Sequence, residues 1–254
     1  MHAVRSLWWR EIVRFLRQPS RVIGALGQPI VFWLLLGGGL APSFRPPGMH
    51  ADTGYLEYLY PGIVALVLLF TAIFATIATV EDRRAGFLQG VLVAPIGRSA
   101  IVLGQALGGT TLAVLQGLFL LPLAPLAGVA LTVSSVIAAT ATMALVAFGL
   151  VSLGLVIAWS MESTQGFHAI MNLLLIPMWL LSGAFFPGAD LPAPLSIIMH
   201  LDPLTYGVAA LRACLGGVGP AGGPGLGVSL AAVVLFGIGA HLAATAAARR
   251  ARIL

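Results

Sequence analysis

The sequence predicts an all-α integral membrane protein with six transmembrane helices, and three observations carry that reading. Of its 254 residues, 59% are hydrophobic and only 8% are charged, against about 25% charged in soluble domains. Mean hydropathy is +1.02. Six apolar runs approach or exceed the ~20 residues that cross a bilayer. So little polarity cannot cover a water-facing surface, and residues 1–254 read as a single membrane domain.

The elements follow in order. Residues 3–21 form an amphipathic helix on the membrane surface. Arg10, Arg14, Arg17 and Arg21 step by four, three and four along one face, while Val4, Trp8, Ile12, Phe15 and Leu16 occupy the other. The basic stretch is long and the next apolar run reaches spanning length, so this segment reads as uncleaved rather than as a signal peptide. The spans are expected at 22–40, 58–80, 99–121, 131–159, 167–181 and 226–245. A proline-containing polar loop separates the first two, and SMESTQG separates the fourth and fifth.

Between spans two and three lies Glu81–Arg98, EDRRAGFLQGVLVAPIGR. Phe87, Leu88, Val91 and Leu92 recur at helical spacing, and Glu81 and Asp82 are read as the acidic start of that helix. Spacing alone allows a docking helix or a helix lying on lipid. Residues 182–225 are apolar but broken by prolines and too short to cross twice, so they read as re-entrant helices, which require burial of their loose backbone by protein.

Orientation follows from arginine, because all thirteen Lys+Arg residues are Arg. With six spans, eleven fall on one side: five at the N-terminus, three in Glu81–Arg98 and three near the C-terminus. Arg45 and Arg212 fall on the other. The positive-inside rule places both termini and Glu81–Arg98 in the cytoplasm, and the expected location is the plasma (inner) membrane.

Several chemistries are excluded. Without lysine there is no phosphate-binding loop of the Walker type and no Schiff base. The eight acids fall in loops or at span ends, which removes the intramembrane carboxylate of an ion-driven carrier. No His or Cys pair has metal-ligand spacing, and Cys214 is alone. Neither a catalytic residue, nor a metal site, nor a nucleic-acid surface is expected. The halves do not match as inverted repeats. Inside the membrane, Gln105 and Gln116 suit interhelical hydrogen bonds, and Gly104 and Gly108 suit close helix approach. Phe70, Phe74, Met171, Asn172, Met178 and Trp179 could line a cavity for a hydrophobic or amphipathic substrate, or simply pack.

Two motifs then carry a family likeness. One is E-x-R-R-x-G-x-L-x-x-x-L-x-x-P, formed by Glu81, Arg83, Arg84, Gly86, Leu88, Leu92 and Pro95. The other runs from Asn172 to Arg212, with an S-G-x-F-F-P turn and D-P-L-T-Y where N-P-L-T-Y is common. Together the chain resembles the type-2 permeases of ATP-binding-cassette exporters over essentially its whole length. That resemblance implies a non-catalytic half-transporter that pairs as a homodimer, or as a heterodimer with a related permease, within membrane lipid. Two copies of a separate ATPase would use ATP and Mg, and this chain would bind no cofactor itself. It implies a coupling helix at Glu81–Pro95, with Arg83, Arg84, Phe87 and Leu88 touching the ATPase, and an interface helix bearing Arg10, Arg14 and Arg17. The short loops lean toward a drug-like or lipid-like cargo. Export of polysaccharide or another lipid-linked glycan is the alternative, and a membrane-embedded lipid enzyme or adaptor is a third reading.

Overall fold

The computed structural model describes residues 2–40, 54–88, 90, 96–186, 188, 191–217 and 223–251, and among these there is helix and connection but no strand. Helix α1 (His2–Leu16) leads into α2 (Pro19–Phe32), which passes into a π-helical turn at Trp33–Gly37. Then come α3 (Tyr55–Arg84), α4 (Arg98–Leu120, with a 3-10 tail at Leu121–Ala127), α5 (Val133–Ser160) and α6 (Thr164–Trp179). A π turn at Leu180–Ala184 ends α6. Two short helices follow, α7 (Ala193–Leu201) and α8 (Pro203–Cys214), before α9 (Leu226–Arg250).

Six of these are long and apolar enough to cross a membrane: Pro19–Gly37, Tyr55–Arg84, Arg98–Ala127, Val133–Ser160, Thr164–Ala184 and Leu226–Arg250. The protein is therefore an all-helical, multi-pass membrane protein.

Span two is the axis of the bundle. Within its most apolar window 89% of residues are buried, against 22% for spans one and six. Its sequence has no polar stripe between Tyr60 and Ile73, and a helix that is apolar all round belongs inside. Thr71 donates to the Gln116 side-chain oxygen at 2.8 Å, and Tyr60 donates to the Leu120 carbonyl at 2.7 Å, which tie span two to span three. Gln116 thus meets its expectation, whereas the Gln105 side-chain oxygen is buried without a partner among the described residues. The outward faces of the other spans carry Ile137, Leu173 and Leu235, which suit lipid tails.

The first helix is shorter than the expected 3–21. It stops at Leu16 because Pro19 excludes the helical conformation from Gln18, which sits at φ −114° and ψ 83°, and Pro19 then starts α2 at a position needing no N–H. Nor does its apolar face rest on lipid alone. Gly104 and Gly108 let α1 approach span three so closely that a Cβ on Gly108 would lie 2.7 Å from the Glu11 Cβ. The Trp8 indole donates to Thr111 at 3.0 Å, and Ile12 and Phe15 pack with Leu112 and Ala25.

Candidate functional site

The site begins where span two ends. Because no breaker precedes Ala85, α3 runs through Arg84, so Glu81 and Asp82 occupy its last turn rather than the first turn of a following helix. That corrects their expected position, and it reverses the electrostatics, since carboxylates at a helix C-terminus oppose the dipole. Arginines offset this. Arg10 donates to both Asp82 oxygens at 2.8 and 2.9 Å, and Arg14 donates to Asp82 at 2.6 Å and Glu81 at 2.7 Å. Arg21, from the first turns of span one, adds a bond to Glu81 at 2.5 Å and one to the Phe74 carbonyl.

Asp82 is buried, and its two-arginine clamp is a charge-assisted arrangement of the strong kind. Glu11 joins the edge of the network, 3.1 Å from Arg10. Burial pushes the Glu11 carboxyl up to about 7, with the Arg10 charge pulling the other way. Arg10 and Arg14 were expected on a surface helix facing headgroups, and they instead bond inward. Arg17 remains exposed.

Arg83 also turns inward. It donates to the Trp159 and Met161 carbonyls, closing the C-terminal end of span four, and stacks 5.6 Å from the Trp159 ring. A single short junction therefore gathers α1, the start of span one, the end of span two and the end of span four. After it, Gly86 turns the chain at φ +73° and helical backbone resumes at Phe87 and Leu88. Leu88 is buried at 3%, while Phe87 is 42% exposed with the Arg10 guanidinium 3.9 Å above its ring. Arg84 is exposed. Of the residues expected to meet an ATPase, Arg84 and Phe87 thus face outward and Arg83 and Leu88 do not. Val91, Leu92 and Pro95 lie outside the described residues.

The expected cavity residues differ in exposure. Phe70, Met171 and Trp179 are interior, and the Trp179 indole donates to the Gly62 carbonyl at 2.8 Å. Phe74 and Met178 are half-buried, with Phe74 edge-on to His168 at 6.3 Å. Asn172 is exposed on α6, whereas Met171, Leu175 and Trp179 of the same helix are buried. Gln28 of span one is exposed too. A depression of about 510 Å³ on α1 is lined by His2, Arg5, Ser6, Trp8 and Trp9, none of them among the expected cavity residues.

Sequence reasoning passed over Asp82, Glu11 and Arg21 as partners, although arginines repeating on one face of a lysine-free chain signal acids to be met. Arg212, expected on the outer side within the re-entrant helices, lies buried on α8 with 3% exposure.

A family profile described as ABC-2 type transporter matches residues 2–215, which takes in the junction, five of the spans and both short helices. A protein named as a transport permease (ycf38) of Cyanophora paradoxa is 27% identical over 205 residues, covering 80% of this chain and 70% of its own length. Nodulation protein J of Sinorhizobium fredii is 27% identical over 238 residues, covering 92% and 87%. Nodulation protein J of Bradyrhizobium diazoefficiens is 29% identical over 210 residues, covering 81% and 76%.

Proposed function

The chain belongs to the ABC-2 type transporter family, and from that premise we propose that it is the membrane-spanning subunit of an ATP-driven exporter of a hydrophobic or amphipathic substrate. A separate ATPase supplies the energy, and ATP and Mg belong to that partner; this chain binds no cofactor. The observation that carries the reading is the junction at the end of span two. A transporter driven from outside needs a place that receives a push and distributes it. Here Asp82 and Glu81 bind α1 and span one through Arg10, Arg14 and Arg21, and Arg83 binds span four. Movement delivered to Arg84 and Phe87 reaches three spans and α1 through bonds of one or two residues.

Two copies form the pathway. Gln28 and Asn172 support this, since each turns an amide outward from within a span, where hydrocarbon offers no partner. A second copy, identical or related, and a weakly polar path between copies would satisfy both. The arginine distribution supports cytoplasmic termini in the inner membrane, with the junction on the ATP side.

The family likeness leaves two cargo classes, a lipid-linked glycan or a drug-like or lipid-like molecule. Deleting the gene separates the two. Inward accumulation of lipid-linked glycan marks the first, and a drug-susceptibility change without such accumulation marks the second.

The docking reading is tested by isolating the tagged chain from its native membrane in mild detergent. A soluble ATPase of the cassette type should come down in equal copy number. Phe87→Ser combined with Arg84→Ala should lose it at normal chain expression, because both side chains face outward. Retained capture by that double variant would remove Phe87 and Arg84 from the docking surface.

A further inference from the structure

At the opposite end of span two lies a charge that neither the family likeness nor the junction uses. Arg212 sits near the end of α8, a helix of 12 residues that does not cross the membrane, and only 3% of it is exposed. Among the described residues no carboxylate pairs with it. Its guanidinium is held by main-chain oxygens instead, donating to Gly183 at 3.0 Å and Tyr58 at 3.3 Å, and it stacks 4.2 Å from the Tyr58 ring. Among the described residues its Nε finds no partner.

The Gly183 carbonyl is available because the chain breaks there. Gly183 adopts φ +74°, a conformation that other residues rarely take, and this turns its oxygen out of the helical ladder. The same oxygen accepts from the Tyr58 hydroxyl at 2.8 Å. Three elements thus meet on one atom: the start of span two, the break ending span five, and α8. Packing reinforces the contact, since a Cβ on Gly62 would lie 2.5 Å from that of Ala184.

We propose that Arg212 is the latch of the pathway's far mouth, a positioning residue that holds spans two and five together and releases them when the mouth opens. The chemistry suits release. An acid partner would trap the cation, because separating a buried ion pair strands two charges. Carbonyl oxygens and a ring are partners that water can replace, and the guanidinium regains hydration as the site opens. The latch is also within mechanical reach of the junction. Span four, whose end Arg83 caps, carries α8 at its other end, with Thr142 3.4 Å from Cys214 and Val146 packed on Gly207. The role in transport rests on the exporter reading, but the closure itself does not.

The test uses the full chain in membrane vesicles, with Cys214→Ser removing its own thiol. Ala184→Cys reports on the latch, and Ala106→Cys on span three reports on the bundle elsewhere; both alanines are 0% exposed. A membrane-impermeant maleimide is added to each side in turn, without any ATPase. Arg212→Gln should raise modification at position 184 by about tenfold or more, the scale of losing a charged hydrogen bond, and leave position 106 unchanged. Tyr58→Phe, which deletes one hydroxyl and keeps the ring, should give a smaller rise. An unchanged rate at 184, or an equal rise at both positions, would overturn the latch. The side from which the probe acts reports the orientation separately, so a wrong topology and a wrong latch give different results.

Discussion

Replacing Asp82 by Asn probes the junction with little change in shape. The carboxylate accepts three bonds from two arginines, at 2.8, 2.9 and 2.6 Å. Bonds to charged groups contribute about 1.5–3 kcal/mol each, and the Asn oxygen retains roughly one of them. Water rescues part of the rest, because the Arg10 and Arg14 side chains are 30% and 22% exposed. The expected loss is about 3 kcal/mol, which for a chain of this size lowers the melting temperature by about 6–12 °C. Thermal unfolding in mild detergent gives that number, and a double-mutant cycle with Arg10→Gln isolates the pair. The two changes should couple, the double variant losing at least about 1 kcal/mol less than the sum of the singles. Additivity within about 0.5 kcal/mol would refute the clamp, since residues that do not share an interaction add to that tolerance.

The same construction predicts two further outcomes. Gly108→Val forces a side chain into the Glu11 Cβ and the Trp8 carbonyl, 2.7 and 3.4 Å from the first added atom. It should cost about 1–3 kcal/mol by overpacking and free α1 from span three, read as faster proteolysis near Arg17 and a red-shifted Trp8 emission. Stability should also fall as pH rises. Asp202 caps α8 through one oxygen, accepting from the Leu204 N–H at 2.8 Å, while its other oxygen is buried without a partner among the described residues. Burial pushes its carboxyl from the ordinary 3.8 up to about 7, against the Leu204 bond. Glu11 moves the same way. A raised carboxyl binds its proton more tightly when folded, so the stabilisation is full near pH 4 and is lost as pH rises through about 7. For Asp202 alone it amounts to about 4 kcal/mol. Asp202→Asn, which keeps the cap, should reduce the slope of the melting temperature between pH 5 and 8 to the part that Glu11 supplies, and an unaltered slope would exclude Asp202 as a source.

The spans were legible because their signal is local. The apolar runs around Ala65, Leu112 and Leu150 announce themselves within twenty residues, and so did the short helices flanking Pro203. The helix ends were harder to read. Glu81 and Asp82 read as the start of a new helix, yet they end α3, where the arginines of α1 and span one offset their charge. The site was half legible for the same reason. Arg84 and Phe87 face outward, while Arg83 turns to span four and Asn172 is exposed beside a buried Met171, outcomes set by neighbours far off in the chain.

By itself the sequence determined the solvent and the number of crossings. Those follow from how many apolar residues a bilayer requires in a row and from which side chains are present at all. Only the tertiary structure decided what the few charges do. Arg10 and Asp82 lie 72 residues apart, and Arg212 and Tyr58 lie 154 apart. With 8% charged residues in a lipid-facing bundle, each buried charge must find its partner in space, and no local pattern states which helix will bring it.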